Sequence, residues 1–172
     1  MKIYIVGSVA SGKSTLASKI SQITDVPCYH LDETVYVVDP TEPSGNKKRS
    51  IKERNILFRN MLEQTHYIME DAGRECFCEG MKQADTIILL EIPLIIRKKR
   101  ILLRWIKQNL SIEKCIYRPS FDMLKAMFRW ARDYDTGEDG TKKRVSLFEN
   151  KTIVLRNNKD IKQYMKTLRR IM

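Results

Sequence analysis

Gly7-Ser8-Val9-Ala10-Ser11-Gly12-Lys13-Ser14, followed by Thr15, decides the reading of this chain. An apolar run, Ile3-Tyr4-Ile5-Val6, leads into it, and Leu16-Ala17-Ser18-Lys19-Ile20 leads out. Strand, glycine-bounded loop and helix thus follow in the order of a phosphate-binding P-loop, G-x-x-x-x-G-K-[ST]. Gly7 and Gly12 let successive N–H groups, those of Ser8, Ala10, Ser11 and Thr15 among them, converge on phosphate oxygens. The positive end of the following helix adds to that field. Lys13 reaches the β- and γ-phosphates, and the Ser14 hydroxyl is a Mg²⁺ ligand in such loops. ATP with Mg²⁺ is therefore the expected nucleotide.

Working outward, the strands predicted are 3–6, 26–31, 67–69, 86–90 and 152–155, separated by helical patterns at about 51–65, 93–109, 121–134 and 160–172. Strands alternating with helices imply right-handed βαβ units and a five-stranded parallel sheet, an α/β P-loop fold. Thr86-Ile87-Ile88-Leu89-Leu90 is continuously apolar, as a strand covered on both faces should be. Ligands of such sheets sit at the carboxyl ends of the strands, which singles out Asp32, Glu70-Asp71, Glu91 and Arg156 beside the P-loop. Asp71 is the expected Mg²⁺ carboxylate, with Glu70 expected to point to the other face of its strand. Asp32 is placed to accept the proton of an attacking hydroxyl or to orient the phosphate acceptor.

The 172 residues suit one domain, and 42% apolar with 31% charged residues is the balance of a soluble globular chain. The start carries no secretory signal pattern, and the longest apolar stretch, 84–96, is interrupted by Asp85, Glu91 and Pro93. No membrane partner is expected. Cys28, Cys76, Cys78 and Cys115 form neither a C-x-x-C pair nor a staple pattern, and read as reduced thiols of a cytoplasmic protein. Net charge is +11, of which residues 97–144 carry +8. Such a block suits a polyphosphate or a nucleic acid, with a solvated basic face as the plainer reading.

Four segments together resemble the nucleoside monophosphate kinase-like P-loop enzymes: the loop itself, Tyr29-His30-Leu31-Asp32, the run Ala84 to Glu91-x-Pro93 with Arg100 and Arg104 after it, and Leu155-Arg156. Within that group the chain looks most like the adenylate-kinase-related DNA topology modulation (FlaR-related) proteins. The resemblance implies an adenylate kinase-like fold with an acceptor-side insertion at about 33–66 and a lid at about 110–148. It implies that Arg100 and Arg104 contact the adenine and phosphates of ATP, and that lid arginines such as Arg132 act with Lys13 on the transferring group. Arg156 joins the nucleotide-binding set. The chain departs from the family pattern at Asp71-Ala72-Gly73-Arg74, where the glycine is displaced by one, and at Leu94, where the topology-modulation branch has arginine. The function implied is γ-phosphoryl transfer from ATP to a small acceptor, a nucleotide or nucleoside. The alternative is a DNA-binding regulator that keeps the nucleotide site as a switch.

Overall fold

A computed structural model describes residues 1–113, 115 and 117–171. Its centre is β1 (Lys2–Gly7), whose Ile3 to Val6 are buried, flanked by β5 (Tyr67–Asp71) and β6 (Thr86–Leu90). Adding β2 (Cys28–His30) and β7 (Thr152–Leu155) gives a parallel sheet in the order β2-β5-β1-β6-β7. This is the five-stranded parallel sheet of the three-layer, adenylate kinase-like P-loop architecture expected. The chain leaves β1 for β2 and β5 on one side and crosses to β6 on the other only after β5, so the P-loop opens at the carboxyl end of the central strand, beside that change of direction.

The two faces of the sheet are covered by different helices. Ile3, Ile5, Ile68, Ile88 and Leu90 pack under α1 (Lys13–Thr24) and α8 (Asn158–Ile171). Tyr4, Val6, Tyr67, Met69 and Leu89 pack against α3 (Ile51–Leu62), α4 (Cys78–Gln83) and α7 (Thr141–Ser146). A third cluster joins α5 (Leu94–Asn109) to α6 (Phe121–Thr136) through Ile101, Leu124, Met127 and Ala131.

Local chemistry sets the helix ends. Ser50 and Glu53 form a reciprocal capping box at the start of α3, and the Ser120 hydroxyl accepts the Met123 N–H at the start of α6. Residues 33–66, read from sequence as an acceptor-side insertion, contain a hairpin of β3 (Tyr36–Val38) and β4 (Asn46–Lys48). Each strand has three residues, too few for an alternating pattern to be visible in sequence. The short helix α2 (Leu31–Val35) precedes the hairpin, so strand two is shorter than the expected 26–31, and Asp32 lies in the helix that follows it. All four cysteines are free thiols. Among the described residues no helix is long and apolar enough to cross a membrane.

Candidate phosphate and acceptor site

The loop between β1 and α1 has the backbone that its sequence calls for. Gly12 and Ala10 are left-handed, at φ 101° and 58°. Gly7 is required by crowding, because a Cβ there would stand 2.7 Å from the Leu90 carbonyl oxygen. Lys13 Nζ donates to the Ser8 carbonyl at 3.0 Å, which keeps the amine over the loop. Ser11 Oγ is buried within the loop with no hydrogen-bond partner among the described residues.

The carboxylate placed beside the loop is Glu70, where the sequence reading preferred Asp71. Ser14 Oγ donates to Glu70 Oε1 at 2.8 Å, and His30 Nδ1 donates to the same oxygen at 2.9 Å. Strand alternation does put Glu70 and Asp71 on opposite faces. The face that α1 covers, however, is the one carrying Ile68 and therefore Glu70. Burial acts most strongly on Glu70 and pushes its pKa up. The His30 and Ser14 hydrogen bonds and the Lys13 charge outweigh it and hold the carboxyl below its ordinary value. His30 is raised in turn, chiefly by its hydrogen bond to Glu70.

Asp71 faces away and is fully committed. Its carboxylate accepts the N–H groups of Gly73 at 2.6 Å and Arg74 at 2.5 Å, and is paired with the Arg74 guanidinium. Burial raises its pKa against the opposing Arg74 charge. Arg74 also pairs with Asp32, so one guanidinium bridges the ends of two neighbouring strands. Asp32 lies in the first turn of α2 and is 57% exposed. The displaced glycine has a local cause: Gly73, at φ 91°, has the Thr141 side chain so close that a Cβ would meet it at 2.4 Å. Thr141 Oγ1 donates to Ala72 O at 3.2 Å and Arg144 Nε to Gly73 O at 2.9 Å, docking α7 onto this turn.

The arginines divide. Arg100 Nη1 donates to the carbonyls of Ala10 and Ser11, at 3.2 and 2.9 Å, so it is at the P-loop. Arg104 is engaged instead with Glu113 at 3.2 Å, Arg132 with Asp133 at 3.2 Å and Arg156 with Glu91 at 3.4 Å, all at exposed positions. The residue missed by sequence is Arg97. It is completely buried, donating from Nε to Ile92 O at 2.7 Å and from Nη1 to Ser8 Oγ at 2.6 Å and Ala131 O at 3.1 Å, and pairing with Asp135. Among six basic residues on one helix, nothing in the sequence distinguished it.

Among the described residues no three His, Cys, Asp or Glu side chains are grouped to hold a metal ion unaided. The Ser14 hydroxyl and the Glu70 carboxylate fit a Mg²⁺ that arrives with phosphate oxygens and waters.

Fold and loop define a P-loop phosphate-binding α/β protein of the adenylate and shikimate kinase architecture. The chain is similar to shikimate kinase from Aquifex aeolicus, 27% identical over 103 residues, 54% of this chain and 61% of that protein. The match thus spans about three-fifths of the curated relative. The crystal structure of the Aquifex enzyme superposes with a TM-score of 0.54 and 19% identity, covering 98% of this chain and 93% of the other. Shikimate kinase from Acinetobacter baumannii, solved with shikimate, gives a TM-score of 0.61 at 15% identity, covering 98% and 91%. No family model matches the chain.

Two outcomes are expected. Arg97→Met, which strands Asp135 and three buried acceptors, should cost about 3 kcal/mol in urea unfolding. The His30–Glu70 pair contributes stability that is full below the ordinary histidine pKa of about 6.5 and fades as pH rises through His30's raised value. Unfolding free energy measured against pH should show that fall, and His30→Gln should flatten it.

Proposed function

We propose that the protein is a Mg²⁺-dependent kinase that transfers the γ-phosphoryl group of ATP to a small acceptor. The observation that carries this reading is the Ser14–Glu70 pair beside the Lys13 loop. It supplies a hydroxyl and an ionised carboxylate where a phosphate-bound metal needs oxygen ligands. Such catalysis is positioning and electrostatics: the loop amides and Lys13 hold the phosphates, and Arg100 stands ready on the same loop.

Asp32 serves as acceptor-side carboxylate, oriented by Arg74, and takes up or directs the proton of the attacking hydroxyl. The segment 110–148 acts as the lid. Closing it would exchange the exposed ion pairs of Arg104 and Arg132 for phosphate oxygens. Asp71 is a structural partner of Arg74 in this scheme, and Glu70 replaces it as the metal carboxylate. The acceptor is read as a nucleoside or nucleotide. The likeness to proteins named shikimate kinases makes compact hydroxylated carboxylic acids the second class to test. A single-domain, cytoplasmic enzyme is the reading throughout.

The topology-modulating, DNA-binding alternative rests on sequence motifs and the basic block. That block is partly spent inside the protein, since Arg97, Arg100 and Arg144 are engaged by protein carbonyls.

An ATP-consumption screen across nucleosides, nucleoside monophosphates and hydroxylated acids tests the kinase reading. Lys13→Ala should weaken MgATP binding at least about tenfold, and absence of magnesium-dependent ATP binding by the unaltered protein would sink it. Glu70→Gln should cut turnover by about 10²-fold or more, whereas Asp71→Asn should act chiefly on stability.

A further inference from the structure

Helix α5 is inverted in character. Its inward face carries the buried Arg97, while its outward face carries Ile95, Leu102, Leu103, Ile106 and Leu110 just beyond its end. All five are exposed, Ile95 at 74% and Leu110 at 64%, and none takes part in the three hydrophobic clusters. At 100° per residue these positions fall on one stripe about 24 Å long, over the 16 residues of the helix. Lys99 lies within the stripe and Lys98 and Lys107 along its edges. The helix has six basic residues and no acidic one. Trp105 and the exposed Phe121 meet in a tilted contact, ring centroids 4.9 Å apart, beside its carboxyl end.

We infer that this face docks on the surface of a lipid bilayer bearing anionic headgroups, with the aliphatic stripe in the interfacial region and the lysines at headgroup level. Charge decides the occupant. A second copy on the same face would oppose lysine to lysine with no carboxylate on either helix to relieve them. A nucleic acid would neutralise the lysines and leave five aliphatic side chains in water. An anionic bilayer meets both requirements, and its fluid surface fits a convex ridge without a preformed groove. Lysine stems can reach upward from such a ridge while their ammonium groups stay hydrated. This is contact with a membrane surface, unlike a span, and it departs from the expectation that no membrane is involved.

Co-sedimentation of the full chain with phosphatidylcholine vesicles containing about one-third phosphatidylglycerol tests it. The unaltered protein should bind these at least about tenfold more tightly than phosphatidylcholine alone. The variant Leu102→Ser/Ile106→Ser keeps every charge, and both positions are exposed, so its melting temperature should be unchanged. It should lose about tenfold in vesicle affinity. Equal binding by the variant would show diffuse electrostatics and overturn the assignment. So would absence of vesicle binding, or a concentration-dependent dimer that the double substitution dissolves.

Discussion

The buried guanidinium of Arg97 is the constraint on which the other parts of this structure hang. It ties together three pieces distant in sequence: the first residue inside the P-loop, the turn between β6 and α5, and the last turns of α6. An arginine removed from water is tolerated only when its donors are met and its charge is balanced. Those conditions fix Ser8, Ile92, Ala131 and Asp135 relative to one another. Tyr134 adds a ring face 5.3 Å from the guanidinium. The same Ser8 whose hydroxyl accepts from Arg97 presents its carbonyl to Lys13. The position of Lys13 is therefore coupled, through two hydrogen bonds on one residue, to the helix that carries Arg132.

A second network governs the other side of the loop. Glu70 receives Ser14 and His30, while Asp71 receives Arg74, which also holds Asp32. Two adjacent residues at one strand end thus send opposite faces into separate tasks. One carboxylate is held ionised beside the phosphate loop. The other is buried, its pKa raised, and anchors the turn on which α7 docks. Burial alone would have pushed both upward. The difference comes from what surrounds each: a lysine and two side-chain donors for Glu70, and for Asp71 deeper burial and the Asp32 charge, set against two backbone N–H groups and a guanidinium shared with Asp32.

Much of the fold was legible in sequence because long-range order followed from strong local signals. The β6 and β7 boundaries coincide with continuous apolar runs, and the P-loop fixes where β1 ends and α1 begins. The β3–β4 hairpin was not legible, because three-residue strands leave no periodicity. In the site, the parity of Glu70 and Asp71 could be read, but not which face the first helix would cover. That choice depends on the handedness of packing across the sheet, settled by Ile5 and Ile68 beneath Leu16, Ala17 and Ile20. Arg97 escaped for a related reason. Only the rotational setting of α5 against α6 distinguishes it from its basic neighbours.

That same setting explains why α5 is apolar on the outside. Once Arg97, Arg100 and Ile101 face the P-loop and α6, the 3.6-residue repeat obliges Ile95, Leu102 and Ile106 to face outward. Turning the helix to bury the aliphatic stripe would remove Arg97 from Ser8 and Arg100 from the loop carbonyls together. The buried guanidinium and the exposed stripe are two consequences of one helical phase. A helix that must hold a phosphate loop with arginines has less of its surface left for the core, and here its apolar remainder faces out, toward whatever lies outside the molecule.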